Sequence, residues 1–544
     1  MKGVRAASDF LKSNNTSIEW SALIVIFALA AWYRIKCPGI PISDPDTWGY
    51  LYPGLSDLAG SGFQQTHGRG IAYPLFIKWI LQSTESFFAI PAIQHIMGVL
   101  SGLIWWLIWK EWVKWLPANW RNTLGINIVG LLFLALYLWN ANAITSEEMI
   151  RPEGIFPLLS LMQTFLCISY ARLRWKEDSL FGSCITGALA VLMGFICISA
   201  KPSWGFAGLV PIVFTLAGSI APLRLARLPS RILPLALGCA LVFVWLDCIP
   251  KWTRWIIDSS SRTFLPSTLV TIHAPIVSKF LHSEADKGKL NDTEMSFLNN
   301  WDRRLEESKN LTRTSYSILG YDPDYLMYHS DALDLIRNSK TTEEFRTFLL
   351  RIYIHSALSY PNLIFVKVGN QVLVAFGDLS KSLYQNERNI CNNLERSIKS
   401  MDYYALPLVG TNIETSYQEV RNKTVNFISK GSSSLKFGPS IHNFLLRGLG
   451  PVILGIIMLA WIPALAYYTL KNAHGKNSDF TNALKIFSIL WTTSIGTILS
   501  VAIVHSFDID RYLYLLSPQY SILLAAGISF LTTWILTNNK FSFK

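Results

Sequence analysis

Apolar runs long enough to cross a lipid bilayer dominate this sequence of 544 residues. Hydrophobic side chains make up 51% of the chain and charged ones only 15%, against roughly 25% in an ordinary soluble domain. A spanning helix needs about 20 mostly apolar residues, and runs of that length occur at about ten places. They lie near residues 18–34, 87–108, 123–140, 154–171, 180–198, 205–222, 232–249, 446–470, 482–504 and 513–536. The pattern predicts an all-α polytopic membrane protein and excludes fibrous and disordered classes.

One long polar stretch, residues 251–445, interrupts the apolar runs and carries mixed helical patterns. It predicts a mainly helical soluble domain between an N-terminal transmembrane module, 1–250, and C-terminal transmembrane helices, 446–544. Residues 50–86 are moderately apolar with Gly and Pro breaks, which predicts short helices lying on the membrane surface.

The distribution of Lys and Arg predicts the orientation in the membrane. If the N-terminus is cytoplasmic, every short loop on that side is basic. These loops carry Lys2, Arg5, Lys12, Lys110, Lys114, Arg121, Arg172, Arg174, Lys176, Arg224, Arg227, Arg231, Lys471, Lys476, Lys485, Lys540 and Lys544. We therefore expect both termini in the cytoplasm and residues 251–445 on the outer, periplasmic side of the inner (plasma) membrane. The net charge of +12 then reflects topology and contact with membrane lipids, and no nucleic-acid partner is expected.

The predicted outer loops place ionisable residues at helix ends, where burial against hydrocarbon is costly and function is the default interpretation. These residues are Asp44, Asp46, His67, Arg69, Glu147, Glu148, Arg151, Glu153, Lys201, His505, Asp508, Asp510 and Arg511. Opposite charges from distant parts of the chain predict a single outward-facing site. The seven cysteines have no CxxC or zinc-finger spacing and predict no disulfide framework.

Two short motifs resemble the GT-C superfamily of membrane glycosyltransferases. They are Asp46-Thr-Trp-Gly-Tyr-Leu51 in the first outer loop and Tyr73-Pro-Leu75 at the re-entry into the membrane. The resemblance is to bacterial members and implies sugar transfer from a polyprenyl-phosphate donor to a lipid-linked or envelope glycan, or to a protein. It also implies that Glu148 or Glu153 contacts the acceptor or a divalent cation. It assigns no metal ligands and no other cofactor.

The chemistry of such a transfer can be argued from the residues alone. The acceptor hydroxyl loses a proton as it attacks the anomeric carbon, and a carboxylate can accept that proton. The lipid phosphate leaves as an anion and needs fixed cations. We predict Asp46 as the base in one inverting displacement, with Asp44 as the second choice or as its partner. The competing interpretation is that either aspartate caps a surface helix.

Several further residues are candidates for substrate binding. Arg511 is predicted to bind the lipid phosphate through its guanidinium, with His505 and Tyr512 beside it. Lys201 either contacts that phosphate or extends to the interface. The full set of predicted binding residues is His67, Arg69, Glu148, Arg151, Glu153, Lys201, His505, Arg511 and Tyr512.

The acidic second loop allows simpler interpretations as well. Arg151 either binds phosphate or pairs with Glu147. Thr145 and Glu148 have the spacing of a helix capping box. A non-catalytic membrane scaffold remains open for the chain, and so do two other functions. One is an O-antigen ligase or polymerase-like enzyme, and the other is a transporter or flippase of lipid-linked sugars, which predicts mid-membrane polar residues and internal repeats.

Overall fold

The computed structural model is all-α in architecture and has the apolar helices of a membrane protein. It describes residues 15–43, 46–64, 68–121, 123–217, 229–247, 259–311, 316–379, 387–388, 397, 412–430, 435–436, 479–507 and 511–538. Within these ranges, six helices are long and apolar enough to cross a membrane, and up to eight if each of two bent helix pairs forms one span.

The helices of the N-terminal part follow one another with short connections. They are α1 (Asn15–Ile35), α2 (Trp48–Leu58), α3 (Ala72–Thr84), α4 (Ala89–Val113), α5 (Leu124–Leu138), α6 (Ala141–Glu148), α7 (Phe156–Trp175), α8 (Leu180–Ala200), α9 (Gly205–Gly208), α10 (Val210–Ala217) and α11 (Pro229–Asp247). Single 3-10 turns at Pro152–Gly154 and Pro202–Trp204 precede α7 and α9.

The remaining elements form the middle and C-terminal parts. They are α12 (Ser259–Ile272), α13 (Ala274–Asp286), α14 (Asp292–Lys309), a π-helical turn (Tyr325–His329), α15 (Asp334–Ser339), α16 (Thr342–Ser359), α17 (Pro361–Leu379), β1 (Glu387–Arg388), α18 (Asn412–Ser429), β2 (Leu435–Lys436), α19 (Asp479–Val504) and α20 (Arg511–Asn538). The two short strands pair antiparallel.

Helices from both ends of the chain share one apolar core, in which α4 packs against α20. Trp105 and Trp112 lie two turns apart on one face of α4 and are fully buried. Their indole N–H groups donate to Ser521 and Ser529 of α20, at 2.8 and 3.0 Å. These bonds satisfy the polar end of a large buried ring and fix the position of the C-terminal helix against the N-terminal bundle.

Ion pairs at both ends of the bundle show that α1, α4 and α5 alternate in direction. At one end, Glu19 near the start of α1 bonds Lys110 near the end of α4 and Asn127 near the start of α5, at 2.5 and 2.8 Å. At the other end, Arg34 of α1 pairs with Glu147, which follows α5. This alternation is what a polytopic chain with short loops requires, and it brings the predicted outer loops to one end.

Several predicted spans correspond to a described helix. The runs near 18–34, 87–108, 154–171, 180–198, 482–504 and 513–536 match α1, α4, α7, α8, α19 and α20. The run near 123–140 is α5, and α6 continues it after a bend of 42°. The runs near 205–222 and 232–249 contain shorter apolar helices over Pro202–Val213 and Ile232–Val244. The run near 446–470 lies outside the described residues.

A bridge between the first and second predicted outer loops positions the candidate site. Ile42 and Met149 form a parallel β-bridge, in which the Ile42 amide donates to the Glu148 carbonyl and the Ile150 amide donates to the Ile42 carbonyl, both at 2.8 Å. The two loops, more than 100 residues apart in sequence, are thereby held side by side.

The capping box predicted at Thr145 and Glu148 is wrong. α6 begins four residues earlier, and its N-cap is Asn140, whose side chain accepts from the amides of Asn142 and Ala143. Thr145 therefore lies inside the helix, where its hydroxyl donates to the Ala141 carbonyl at 2.7 Å. Asn is as good an N-cap as Thr, and the sequence carries both within six residues.

Candidate functional site

Asp46 lies between two arginines that come from different predicted outer loops. Its Oδ1 accepts from Arg69 and its Oδ2 from Arg151, each at 3.1 Å. Arg151 is nearly buried, whereas 35% of the Asp46 side chain is exposed. The carboxylate is therefore held on one side by fixed positive charge and reaches solvent on the other.

The local backbone explains how Asp46 reaches this position. Helix α2 begins at Trp48 with Thr47 as its N-cap, and the Thr47 hydroxyl donates to the carbonyl of Ile150 beside Arg151. The N-cap position predicted as the alternative role of Asp46 is thus occupied by its neighbour. The bridge at Ile42 and the bond at Thr47 together fix the first loop against the second.

Arg69 packs closely against the start of α2 because residue 49 is glycine. A β-carbon at Gly49 would lie 2.5 Å from Arg69 Nη1. The guanidinium also lies 5.4 and 5.6 Å from the ring centroids of Trp48 and Tyr50, distances at which a cation is attracted to an aromatic face. Trp48, Gly49 and Tyr50 of the Asp46 motif therefore form the surface against which Arg69 packs.

A second ion pair lies next to the first. Lys201, at the end of α8, bonds Glu153 at 2.8 Å, and both side chains are more than nine-tenths buried. The Lys201 ammonium lies 5.3 Å from the ring centroid of Tyr512 on α20, and the His505 ring lies 4.8 Å from that of Tyr512. The end of α8 and the beginning of α20 are thus joined at the same end of the bundle.

Two tyrosines lie close enough to the charged side chains to have their pKa affected by them. Burial raises the pKa of the Tyr50 phenol, and the negative charges of Glu153 and Asp46 raise it further. The positive charges of Arg69 and Arg151 lower it in part. Partial burial raises the pKa of Tyr328, and the negative charges of Asp324 and Asp46 raise it further. The positive charge of Arg69 lowers it in part. Both phenols stay neutral at physiological pH and remain able to donate hydrogen bonds beside the carboxylates.

We refer to Asp46, Arg69, Arg151, Glu153 and Lys201 as the Asp46 cluster. Its members come from the first loop, the second loop and the end of α8, and they carry three positive and two negative formal charges. The excess of one positive charge suits the cluster to a monoanion, because guanidinium and ammonium groups recognise phosphate oxygens.

Glu148 does not join the Asp46 cluster. Its Oε1 accepts from the Gly39 amide at 3.1 Å, and its carboxylate lies with Cys37 and His95 in a separate group. The predicted pairing of Arg151 with Glu147 is also wrong. Glu147 instead forms a bidentate pair with Arg34, at 2.7 and 2.8 Å, and contacts Nδ1 of His95 at 2.7 Å.

The remaining predicted site residues fall outside this description. Asp44 and His67 lie outside the described residues, as do Asp508 and Asp510. Arg511 begins α20, and its side chain is outside the described part of the chain. The predicted roles of these residues stay predictions.

Several polar groups at this end of the bundle are not among the residues predicted from the sequence. Lys367 of α17 donates to the carbonyls of Ala502 and His505, at 2.5 and 2.9 Å. Gln371, one turn further along α17, accepts from the Phe507 amide at 2.6 Å. Lys367 and Gln371 stand four residues apart in a mostly apolar segment of the sequence, a spacing that places both on one helix face.

No family model, no curated protein and no solved structure matches the chain. The apolar helices indicate a membrane protein.

Proposed function

We propose that this protein is an integral membrane glycosyltransferase that moves a sugar from a polyprenyl-phosphate donor to an acceptor at its predicted outer face. The observation that carries this proposal is the position of Asp46, a partly exposed carboxylate between two guanidinium groups. A base and an anion receptor are the two components that a displacement at a sugar phosphate needs.

The charge of the cluster fits both the donor and the product of this reaction. A polyprenyl-phosphate sugar is a phosphodiester with one negative charge, matching the single excess positive charge of the cluster. As the acceptor oxygen bonds to the anomeric carbon, the bond from that carbon to the phosphate oxygen breaks and the acceptor proton passes to Asp46. Neutral Asp46 leaves the cluster with two excess positive charges, which match a phosphate monoester close to its dianionic form.

The arginines have two alternating partners in this mechanism. Without donor they pair with Asp46, which satisfies their charge at a partly exposed site. When the phosphate of the donor approaches, its oxygens take the place of the carboxylate against Arg69 and Arg151, and the more exposed Asp46 side chain rotates to the acceptor hydroxyl. Lys201 and Glu153, which are more deeply buried, hold the end of α8 in place beneath the phosphate.

The proposal is tested by incubating reconstituted proteoliposomes with radiolabelled polyprenyl-phosphate sugar and a lipid extract as acceptor. We expect release of polyprenyl phosphate by the wild type. Arg69→Met should raise KM for the donor by roughly tenfold to a hundredfold, the effect of losing one or two hydrogen bonds to a charged group. Arg337→Met is the matched control, because its exposed side chain pairs with Asp334 in the middle part of the chain.

A second variant moves the arginine without removing its charge. Gly49→Ala places a methyl group where Arg69 lies, and the flexible arginine can shift while the fold persists. We expect Gly49→Ala to raise KM in the same direction as Arg69→Met and by less. Donor that crosses the bilayer without being consumed would contradict the proposal and indicate a flippase. Equal KM values in all variants would contradict the assigned role of Arg69.

A further inference from the structure

Cys37, His95 and Glu148 bring three potential metal ligands together beside the Asp46 cluster. Cys37 follows the end of α1, His95 lies in the first turns of α4, and Glu148 ends α6. One ligand atom from each residue lies within 4.8 Å of the other two. We call these residues the Cys37 triad.

His95 is arranged as metal-binding histidines usually are. Its Nδ1 contacts Oε2 of Glu147 at 2.7 Å, and Glu147 is itself fixed by the bidentate pair with Arg34. A carboxylate that orients the second ring nitrogen is the common outer partner of a ligating histidine. Nε2 of His95 is buried and has no hydrogen-bond partner among the described residues, so its lone pair is available.

The surroundings of Cys37 also favour a cation. The Cys37 thiol donates to the Tyr33 carbonyl, and the negative charges of Glu148 and Glu147 act on it. Arg34 and the two glutamates leave one excess negative charge among the residues of this group. A divalent cation that displaces the thiol proton to solvent would leave the group neutral.

We propose that the Cys37 triad binds one Zn²⁺ ion. A thiolate, an imidazole and a carboxylate are ligands of zinc at about 2.0–2.3 Å in tetrahedral geometry, so ligand atoms stand roughly 3.5 Å apart around the ion. The separations in the triad, all within 4.8 Å, must shorten by at most about 1.3 Å to reach this spacing, which side-chain rotation can supply, and a water molecule would complete the coordination.

A cation at this position would join three elements just ahead of the candidate site. The Ile42–Met149 bridge follows Cys37 by five residues and Glu148 by one, and it precedes Asp46 and Arg151. The ion would therefore fix the two loops that carry Asp46 and Arg151. This inference rests on the triad alone and does not depend on transferase activity.

The test uses the full-length protein in detergent, stripped with a chelator and titrated with Zn²⁺ alone or Co²⁺ alone. We expect one equivalent of Zn²⁺ by elemental analysis and a thiolate-to-cobalt charge-transfer band. Cys37→Ser should abolish that band, and both Cys37→Ser and His95→Gln should weaken Zn²⁺ binding at least about tenfold. Cys239→Ser is the control, because Cys239 is exposed on α11 and its loss should change neither measurement.

Two results would overturn the site. One is a wild-type protein that binds no Zn²⁺ or shows no thiolate band with Co²⁺, an observation that needs no variant and so stands even if Cys37→Ser fails to fold. The other is binding of equal affinity in the wild type, Cys37→Ser and His95→Gln, which would place the ion elsewhere.

Discussion

Single side chains at this end of the bundle are held by charge pairs whose burial differs. The Asp46 carboxylate is about one-third exposed, whereas Glu153 and Lys201 are almost completely buried. A partly exposed pair contributes little to stability and can exchange partners, but a buried pair cannot lose one member without leaving a charge uncompensated. The partly exposed Asp46 can therefore exchange its partners, whereas the buried pair of Lys201 and Glu153 holds the end of α8 in position.

The buried pair of Lys201 and Glu153 should contribute to the stability of the protein. Lys201→Met should lower the free energy of unfolding by about 3–5 kcal/mol, because Glu153 keeps a buried charge without its partner. The double variant Lys201→Met with Glu153→Gln should recover most of the loss. Thermal unfolding in detergent is the measurement, and Lys309→Met is the control, because its pair with Glu306 is exposed. A Lys201→Met protein as stable as the wild type would show that Glu153 is stabilised in another way.

The sequence could predict which residues are charged at helix ends, but it could not predict how they pair. Asp46, Arg69 and Lys201 were predicted from the cost of burying charge near hydrocarbon. The sequence offers Glu147, four residues away, as one of two alternative partners of Arg151, whereas the structure pairs Arg151 with Asp46 from another loop. Pairing depends on which loops the bundle brings together, and that information lies in long-range packing.

At the scale of helices and loops, close packing fixes the first loop against the end of α8. A β-carbon at Gly70 would lie 1.8 Å from the backbone carbonyl oxygen of Ser199. Unlike a flexible side chain, this backbone cannot move aside without shifting the end of α8, where Lys201 lies. Glycine at this position therefore lets the loop that carries Arg69 touch the helix that carries Lys201.

Gly70→Ala should lower the free energy of unfolding by about 1–3 kcal/mol, the usual cost of overpacking. The matched control is Gly125→Ala near the start of α5, where a β-carbon meets nothing within 4 Å and alanine should stabilise the helix by about 0.5–1 kcal/mol. Thermal unfolding of both variants in the same detergent is the measurement. A Gly70→Ala protein that unfolds no earlier than Gly125→Ala would contradict the contact with α8.

Helix positions could largely be predicted from apolar runs, but the ends of the short helices could not. The bend between α5 and α6 falls at Trp139 and Asn140. These two residues are the last of the apolar run near 123–140. An N-cap is a local signal that several neighbouring residues can satisfy, and the tertiary position of the second loop selects Asn140 over Thr145.

At the scale of the whole molecule, helices from both ends of the chain converge on one site. The cluster joins the first loop, the second loop and α8, and Tyr512 brings α20 to the same place. The positive-inside pattern predicts that this end of the bundle faces outward. The middle part of the chain approaches it through the π-helical turn with Tyr328 and through Lys367 of α17, an approach that composition alone could not predict.

The predicted orientation can be measured with an impermeant maleimide on intact cells. Lys287→Cys in the middle part and Lys114→Cys at the opposite end of the bundle replace lysines of nearly equal exposure, 53% and 52%. We expect labelling of the first in intact cells and of the second only after permeabilisation, with the wild type as the blank for native cysteines. The reverse pattern would place the Asp46 cluster on the cytoplasmic side.

The turnover of Asp46→Asn measures whether this carboxylate takes the proton of the acceptor hydroxyl. At saturating donor, Asp46→Asn should release polyprenyl phosphate about 10²–10⁴ times more slowly than the wild type, the usual contribution of a general base, with KM for the donor changed far less than kcat. The matched control is Asp57→Asn, since Asp57 pairs with Lys78 within the same loop, and its kcat should match the wild type. An Asp46→Asn protein with the kcat of the wild type would show that Asp46 is not the base.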